Sequence, residues 1–301
     1  MSFNQLIQLV LLAAVWGASF LFMVIAVPEF GAVALIEVRV LIGALVLLPF
    51  WWVREAKSQA ALVGKNIATL FWVGVFNSAA PFALFAYSVL YISGGMASVL
   101  NSTAPIWGAL VAWIWLKQRL SFSGNLGLCI GLFGVITLVS GELFTDQSPV
   151  PPLDKGLGLL AAATAPVLYG IAANLTSAKL EKVSPLSTTT FSLFAGALFL
   201  LPLALLNLPD EMPSQAAWLS TLVLAVVCTS FASLLFFRLI AQVGSTRAIT
   251  VAFLIPVFGT LWGAIFIGET VSITMLIGML IILSGTALVV GIWRPKVLSK
   301  K

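Results

Sequence analysis

An all-α integral membrane fold, of about ten transmembrane helices arranged as two inverted five-helix repeats, is predicted by three features of this 301-residue chain. Charge is scarce and confined to connectors. The basic residues collect on alternate connectors. The second half repeats the first in order.

The scarcity sets the class. Only 8% of residues are charged and 61% are hydrophobic, where a soluble domain carries about 25% charged residues. No charge precedes Glu29, and none falls between Lys65 and Lys117. Uncharged apolar stretches of about 20 residues match a hydrocarbon layer ~30 Å thick. The spans follow in order. Span 1 (5–27) lacks the basic flank of a cleaved signal and is expected to stop at Pro28. Span 2 (31–53) ends in Trp51-Trp52, an interfacial pair, and span 3 (66–91) ends before Ser93-Gly94-Gly95. Span 4 (95–116) precedes Lys117-Gln118-Arg119, and span 5 (123–141) runs into a connector holding Pro149, Pro151 and Pro152. Spans 6 to 10 are expected at 156–178, 186–207, 214–238, 247–268 and 272–293, with Pro209 and Pro213 as breakers between 7 and 8. The domains expected are a first half at 1–141, a linker at 142–155, a second half at 156–293 and a basic tail at 294–301.

The side that holds both termini collects 13 of the 15 Lys and Arg residues, the opposite side collects Lys155 alone, and Arg39 lies within span 2. Positive residues favour the cytoplasmic side, so both termini are expected in the cytoplasm. This placement at helix ends explains the net charge of +5 without nucleic acid as a partner.

The repeat fixes the architecture. Gly43-Ala44-Leu45-Val46-Leu47-Leu48-Pro49 returns 153 residues later as Gly196-Ala197-Leu198-Phe199-Leu200-Leu201-Pro202, and Trp16-Gly17 returns as Tyr169-Gly170 at the same offset. At an offset of 151, Ala97, Pro105 and Gly108 map onto Ala248, Pro256 and Gly259, and Gly127 and Gly134 map onto Gly278 and Gly285. Five spans per half is an odd number, so the second half inserts upside down. Inverted repeats around a midplane site are a recurring plan of secondary transporters.

Polar and helix-breaking residues mark where a solute would bind. Pro105 has no N–H for the carbonyl of Asn101, Pro81 has none for Asn77, and Pro256 has none for Ala252. Such breaks either line a wet cavity or are packing kinks. Trp16 and Tyr169, well inside spans 1 and 6, offer flat walls with one polar atom each, and Tyr87 and Asn174 are further candidates of the same kind. Arg238, near the end of span 8, either meets a substrate carboxylate or snorkels to the interface. Arg39 is expected to act as a structural hydrogen-bond donor rather than to touch solute. Glu37 is the sole carboxylate within a span and hence the candidate for proton coupling. The glycines of spans 5 and 10 read as close helix packing, as scaffold or as the surface of a homodimer. Expected partners are therefore a small-molecule substrate and membrane lipids.

The chain has no His, and its two cysteines, Cys129 and Cys228, stand alone in apolar sequence. No constellation for catalysis, metal or another cofactor is legible. No nucleotide-binding loop or filter sequence is visible, which argues against an ATP-driven pump and a passive channel.

Trp16-Gly17-Ala18-Ser19-Phe20 resembles the opening signature of the EamA family of the drug/metabolite transporter superfamily. Arg39 before an Ala/Leu-rich run resembles its second helix, and Pro256-Val257-Phe258 followed by Gly268-Glu269-Thr270 resembles its ninth helix and that helix's end. The resemblance covers residues 6–292 and implies a ten-helix carrier with a central cavity, in the bacterial inner membrane. It further implies export of amino acids or related metabolites, the chain being most similar to the exporters of the YddG type. The mid-span aromatics then point to amino acids with hydrophobic or aromatic side chains. The alternative within transport is a multidrug or quaternary-ammonium exporter, which needs a buried carboxylate and has only Glu37 available. The chain departs from the family at Lys117-Gln118-Arg119, where a Gly-Glu pair is usual, so no role of that glutamate carries over to the first half.

Overall fold

The computed structural model describes residues 2–117, 120–143, 150–244, 248 and 250–291, and the regular elements among them are all helices. Nine of these are long and apolar enough to cross a membrane: Phe3–Phe30, Ala32–Arg54, Ile67–Ser88, Gly94–Leu116, Phe122–Gly141, Pro152–Lys179, Pro185–Leu205, Gln215–Val243 and Ile273–Val290. The tenth, Val251–Ile267, is shorter and equally apolar. They are spans 1 to 10, with Val251–Ile267 as span 9, and the protein is an all-α integral membrane protein of two inverted five-helix repeats. A short helix, Ala56–Lys65, joins spans 2 and 3. The predicted start of span 9 at Arg247, the last two residues of span 10, the tail at 294–301 and residues 144–149 of the linker lie outside the described residues.

Serines start the helices. Ser2, Ser93, Ser184, Ser214 and Ser272 each accept a hydrogen bond from the backbone N–H three residues on, satisfying an amide the helix leaves open. Two predicted ends are corrected. Pro28 does not stop span 1, which runs on to Phe30. A proline inside a helix loses one hydrogen bond and kinks the helix against the carbonyl four residues back without having to end it, and the chain reverses instead at Gly31, whose φ of +72° only glycine adopts readily. Span 8 does not end at Arg238 but continues to Val243 and closes on Gly244. The Arg238 side chain is exposed on that last stretch.

Glycines let the two halves cross closely, and they do so symmetrically. A Cβ on Gly17 would lie 2.8 Å from the Gly259 nitrogen, and one on Gly170 would lie 2.8 Å from the Gly108 nitrogen. These are the same crossing twice, because Gly17 maps onto Gly170 and Gly108 onto Gly259. Span 1 thus packs on span 9 as span 6 packs on span 4. Spans 5 and 10 meet in a third contact, where a Cβ on Gly285 would lie 2.4 Å from the Gly131 nitrogen and 2.7 Å from the Gly127 carbonyl oxygen. The packing reading of these glycines holds.

Carboxylates fasten the halves at the helix ends. Glu269, after span 9, accepts from the Gly94 and Gly95 N–H groups at 2.6 and 3.0 Å, at the start of span 4. Glu29, at the end of span 1, accepts from the Ser214 N–H and hydroxyl at the start of span 8. Glu55, after span 2, accepts from the hydroxyls of Ser184 and Ser187 at the start of span 7. Each places negative charge at a helix N-terminus, where the exposed amides and the dipole favour it. Span 4 ends at Lys117 in the left-handed conformation (φ +55°), the place that Gly268 (φ +68°) takes at the end of span 9.

Candidate functional site

The helices around the centre are not regular. Span 3 contains a π-helical turn at Val75–Ala79, just before Pro81, and span 8 a π-helical stretch at Val223–Phe231. In span 8, the Thr229 hydroxyl donates to the Leu224 carbonyl (2.8 Å) and that of Ser230 to the Ala225 carbonyl (3.0 Å), both five residues back. Span 4 is broken outright. Its helix stops at Asn101 and resumes at Ala104 with Pro105 in the first turn. The N–H groups of Ser102 and Thr103 turn back to the carbonyls of Val99 and Leu100, and their hydroxyls donate to the same two oxygens at 2.6 and 2.7 Å.

These irregular segments surround one cavity of about 380 Å³. The three residues that precede Pro81, Pro105 and Pro256 by four, namely Asn77, Asn101 and Ala252, are all on its wall. None of their carbonyls can be taken by the residue four on, because proline has no N–H. Among the described residues, neither carboxamide makes a side-chain hydrogen bond within the protein. The remaining wall is largely aromatic. Tyr169 meets Phe82 and Phe85 at 6.5 and 6.3 Å between ring centroids, Phe85 meets Phe20 at 5.5 Å, and Trp16 meets Phe236 at 5.1 Å.

One cation belongs to this wall. Arg39 is 4% exposed; its Nε donates to Thr229 Oγ1 at 3.0 Å and Nη1 to the Met23 sulfur at 3.8 Å. Its guanidinium carbon lies 3.9 Å from the centre of the Phe82 ring. No Asp or Glu lines the cavity among the described residues.

The structure thus gathers four of the predicted residues, Trp16, Asn77, Asn101 and Tyr169, and leaves the others off the wall. Pro105 and Pro256 shape it from one helical turn away. Asn174 is committed elsewhere, because its amide donates to the carbonyls of Gly108 and Gly170 at 2.8 Å each and ties spans 6 and 4 at their crossing. Tyr87 packs its ring on Tyr91 at 5.1 Å. Arg238 is exposed for the reason given above. Glu37 is 6% exposed, with its Oε2 unpartnered among the described residues, and is not on the cavity wall. Arg39 does donate hydrogen bonds, as expected, but it does so from the cavity wall.

Several wall residues were missed, although the repeat holds a signal for them. At the offset of 151, Asn77 maps onto Cys228, Phe82 onto Ser233, Phe85 onto Phe236, Asn101 onto Ala252 and Ala104 onto Ile255. Both members of every pair line the cavity, as do Trp16 and Tyr169 at 153. The cavity therefore lies where the two halves face each other. Its shape is shared between them, and both contribute hydroxyls, but the carboxamides and the guanidinium all come from the first half.

Residues 5–140 and 156–291 each match the EamA-like transporter family. The chain is 22% identical over 277 residues to the "Uncharacterized transporter YoaV" of Bacillus subtilis (strain 168), covering 90% of this chain and 91% of that one. It is 26% identical over 230 residues to an "Uncharacterized transporter" of Archaeoglobus fulgidus, with 75% and 78% covered. It is 23% identical over 235 residues to "Protein PecM" of Dickeya dadantii (strain 3937), with 76% and 77% covered. A solved crystal structure aligns with a TM-score of 0.61 over 95% of this chain and 96% of that one, at 18% identity, which shows a shared fold.

Proposed function

The chain belongs to the EamA-like transporter family, and we propose that it exports amino acids with apolar or aromatic side chains through the cavity between its halves. The observation that carries this reading is the wall itself. Aromatic rings from both halves enclose a space with, among the described residues, two unpaired carboxamides, one cation and no carboxylate. Mostly apolar pockets with a few aimed polar groups are the usual form of small-molecule sites. The carboxamides offer donors and acceptors to a zwitterion, and the rings offer flat contact to its side chain. A quaternary-ammonium solute would find no counter-ion there. Export is the direction the family resemblance implies. The symmetric crossings of spans 1 with 9 and 6 with 4 suit two halves that exchange conformations, which moves access from one side to the other.

The test is uptake of labelled phenylalanine into liposomes holding the purified protein, with leucine, glutamate, lysine and tetraphenylphosphonium as competitors. Phenylalanine and leucine should compete. Asn101→Ala should weaken apparent affinity roughly ten-fold, since a lost polar contact costs about 1–3 kcal/mol. Competition by tetraphenylphosphonium alone, with Asn101→Ala indistinguishable from wild type, would replace the amino-acid reading with the cation exporter.

We place both termini in the cytoplasm on the strength of the basic connectors. In a background lacking Cys129 and Cys228, an impermeant maleimide added to intact cells should label Ser148→Cys and not Lys57→Cys. Labelling of the second alone, or of both, would reverse or cancel that orientation.

A further inference from the structure

We propose that Arg39 is the recognition point for an anionic group on the solute, so that the carrier selects organic monocarboxylates with an apolar or aromatic body and does not require their amino group. The inference rests on reading the cavity as the solute site. A guanidinium has five N–H donors. Two are used here, on Thr229 and on the Met23 sulfur, which leaves three without a protein partner among the described residues.

The charge is unmatched as well. The titratable groups that share the cavity wall with Arg39 are the Cys228 thiol and the Tyr169 phenol, and neither is a carboxylate. Glu37, two residues away on span 2, points to nearly the opposite helix face and is absent from the cavity wall. Removing an ion from water is costly unless another charge compensates it, and the ring of Phe82 beneath the guanidinium compensates only in part. What the cavity lacks is an anion. A carboxylate reaching Arg39 would find a planar donor fork matched to its own geometry. Thr229, itself held by the Leu224 carbonyl of the π-helical stretch, fixes that fork in place. Nothing on the wall offers a matching anionic site for an ammonium group, so the amino group of an amino acid is tolerated by the carboxamides rather than demanded.

Three ligands of one size separate the contributions: phenylalanine, 3-phenylpropionate and phenethylamine, titrated against the purified wild-type protein by quenching of its tryptophan fluorescence. Phenylpropionate should bind within a few-fold of phenylalanine, and phenethylamine at least ten-fold more weakly. Arg39→Gln should lose phenylpropionate by ten-fold or more, and Arg39→Lys should retain part of the binding. Equal binding of phenethylamine and phenylpropionate to wild type would overturn the proposal whether or not any Arg39 variant folds. So would an Arg39→Gln protein that binds phenylpropionate normally. Phenylpropionate binding without phenylalanine transport leaves the anion site standing and sinks the amino-acid reading. Phenylalanine transport with no preference between phenethylamine and phenylpropionate does the reverse.

Discussion

Gly285→Leu should leave little folded protein in the membrane. The first carbon of the new side chain would lie 2.4 Å from the Gly131 nitrogen and 2.7 Å from the Gly127 carbonyl oxygen. Both are backbone atoms that no rotamer change can move, so span 10 would have to leave span 5. Overpacking a core typically costs about 1–3 kcal/mol, and a branched chain against backbone belongs at or above the top of that range. Gly285→Ala should already be impaired. Gly64→Leu is the control, because nothing lies within 4 Å of a Cβ there. Fluorescence-detected gel filtration of tagged variants reads the outcome directly. A monodisperse Gly285→Leu peak at wild-type height would mean that spans 5 and 10 do not pack as described.

Glu269→Ala should be the most damaging single loss of a polar side chain at the helix ends. Its carboxylate takes two amides at the start of span 4, and bonds to charged groups contribute about 1.5–3 kcal/mol each. Truncation leaves both amides without their partner, and a loss of about 3 kcal/mol is expected, the low end for two such bonds at a part-buried carboxylate. Glu269→Gln keeps one acceptor and the shape, so thermal unfolding in detergent should rank wild type above Gln and Gln above Ala. Gly263 supplies an independent check. A Cβ at Gly263 would overlap Glu269 Oε2 at 2.2 Å, so Gly263→Val should displace the carboxylate and behave like Glu269→Ala. If all three variants melt with wild type, the carboxylate does not hold span 4.

The spans and the repeat were legible because a membrane leaves so few alternatives for an apolar chain. Asn77 and Asn101 were legible for a related reason: a proline removes a known donor from a known carbonyl, whatever surrounds it. Other features depend on what sits across the interface. Thr229 and Arg39 are 190 residues apart, and no pattern within span 2 shows that its arginine lies over a ring of span 3. Asn174 looked like a pocket residue until Gly108 was found beside it. Pro28 looked like a terminator because local propensity ranks proline above glycine as a breaker, whereas the sharp reversal needed a positive φ.

The two π-helical segments carry a trace of the protein's ancestry. Val75–Ala79 maps at 151 onto residues 226–230, which lie inside Val223–Phe231. A π turn holds one residue more than an α turn of the same rise, and such an extra residue turns everything beyond it by ~100° around the helix axis. Phe85 and Phe236 follow these segments in the two halves and both face the cavity. The simplest history puts the insertion in a single five-helix ancestor, before its gene was doubled. Two copies of that ancestor, inserted in opposite directions and paired, would have enclosed a chamber with identical walls. The present differences, Asn77 against Cys228 and Asn101 against Ala252, then mark how two once-equal faces diverged until both carboxamides stood on one of them.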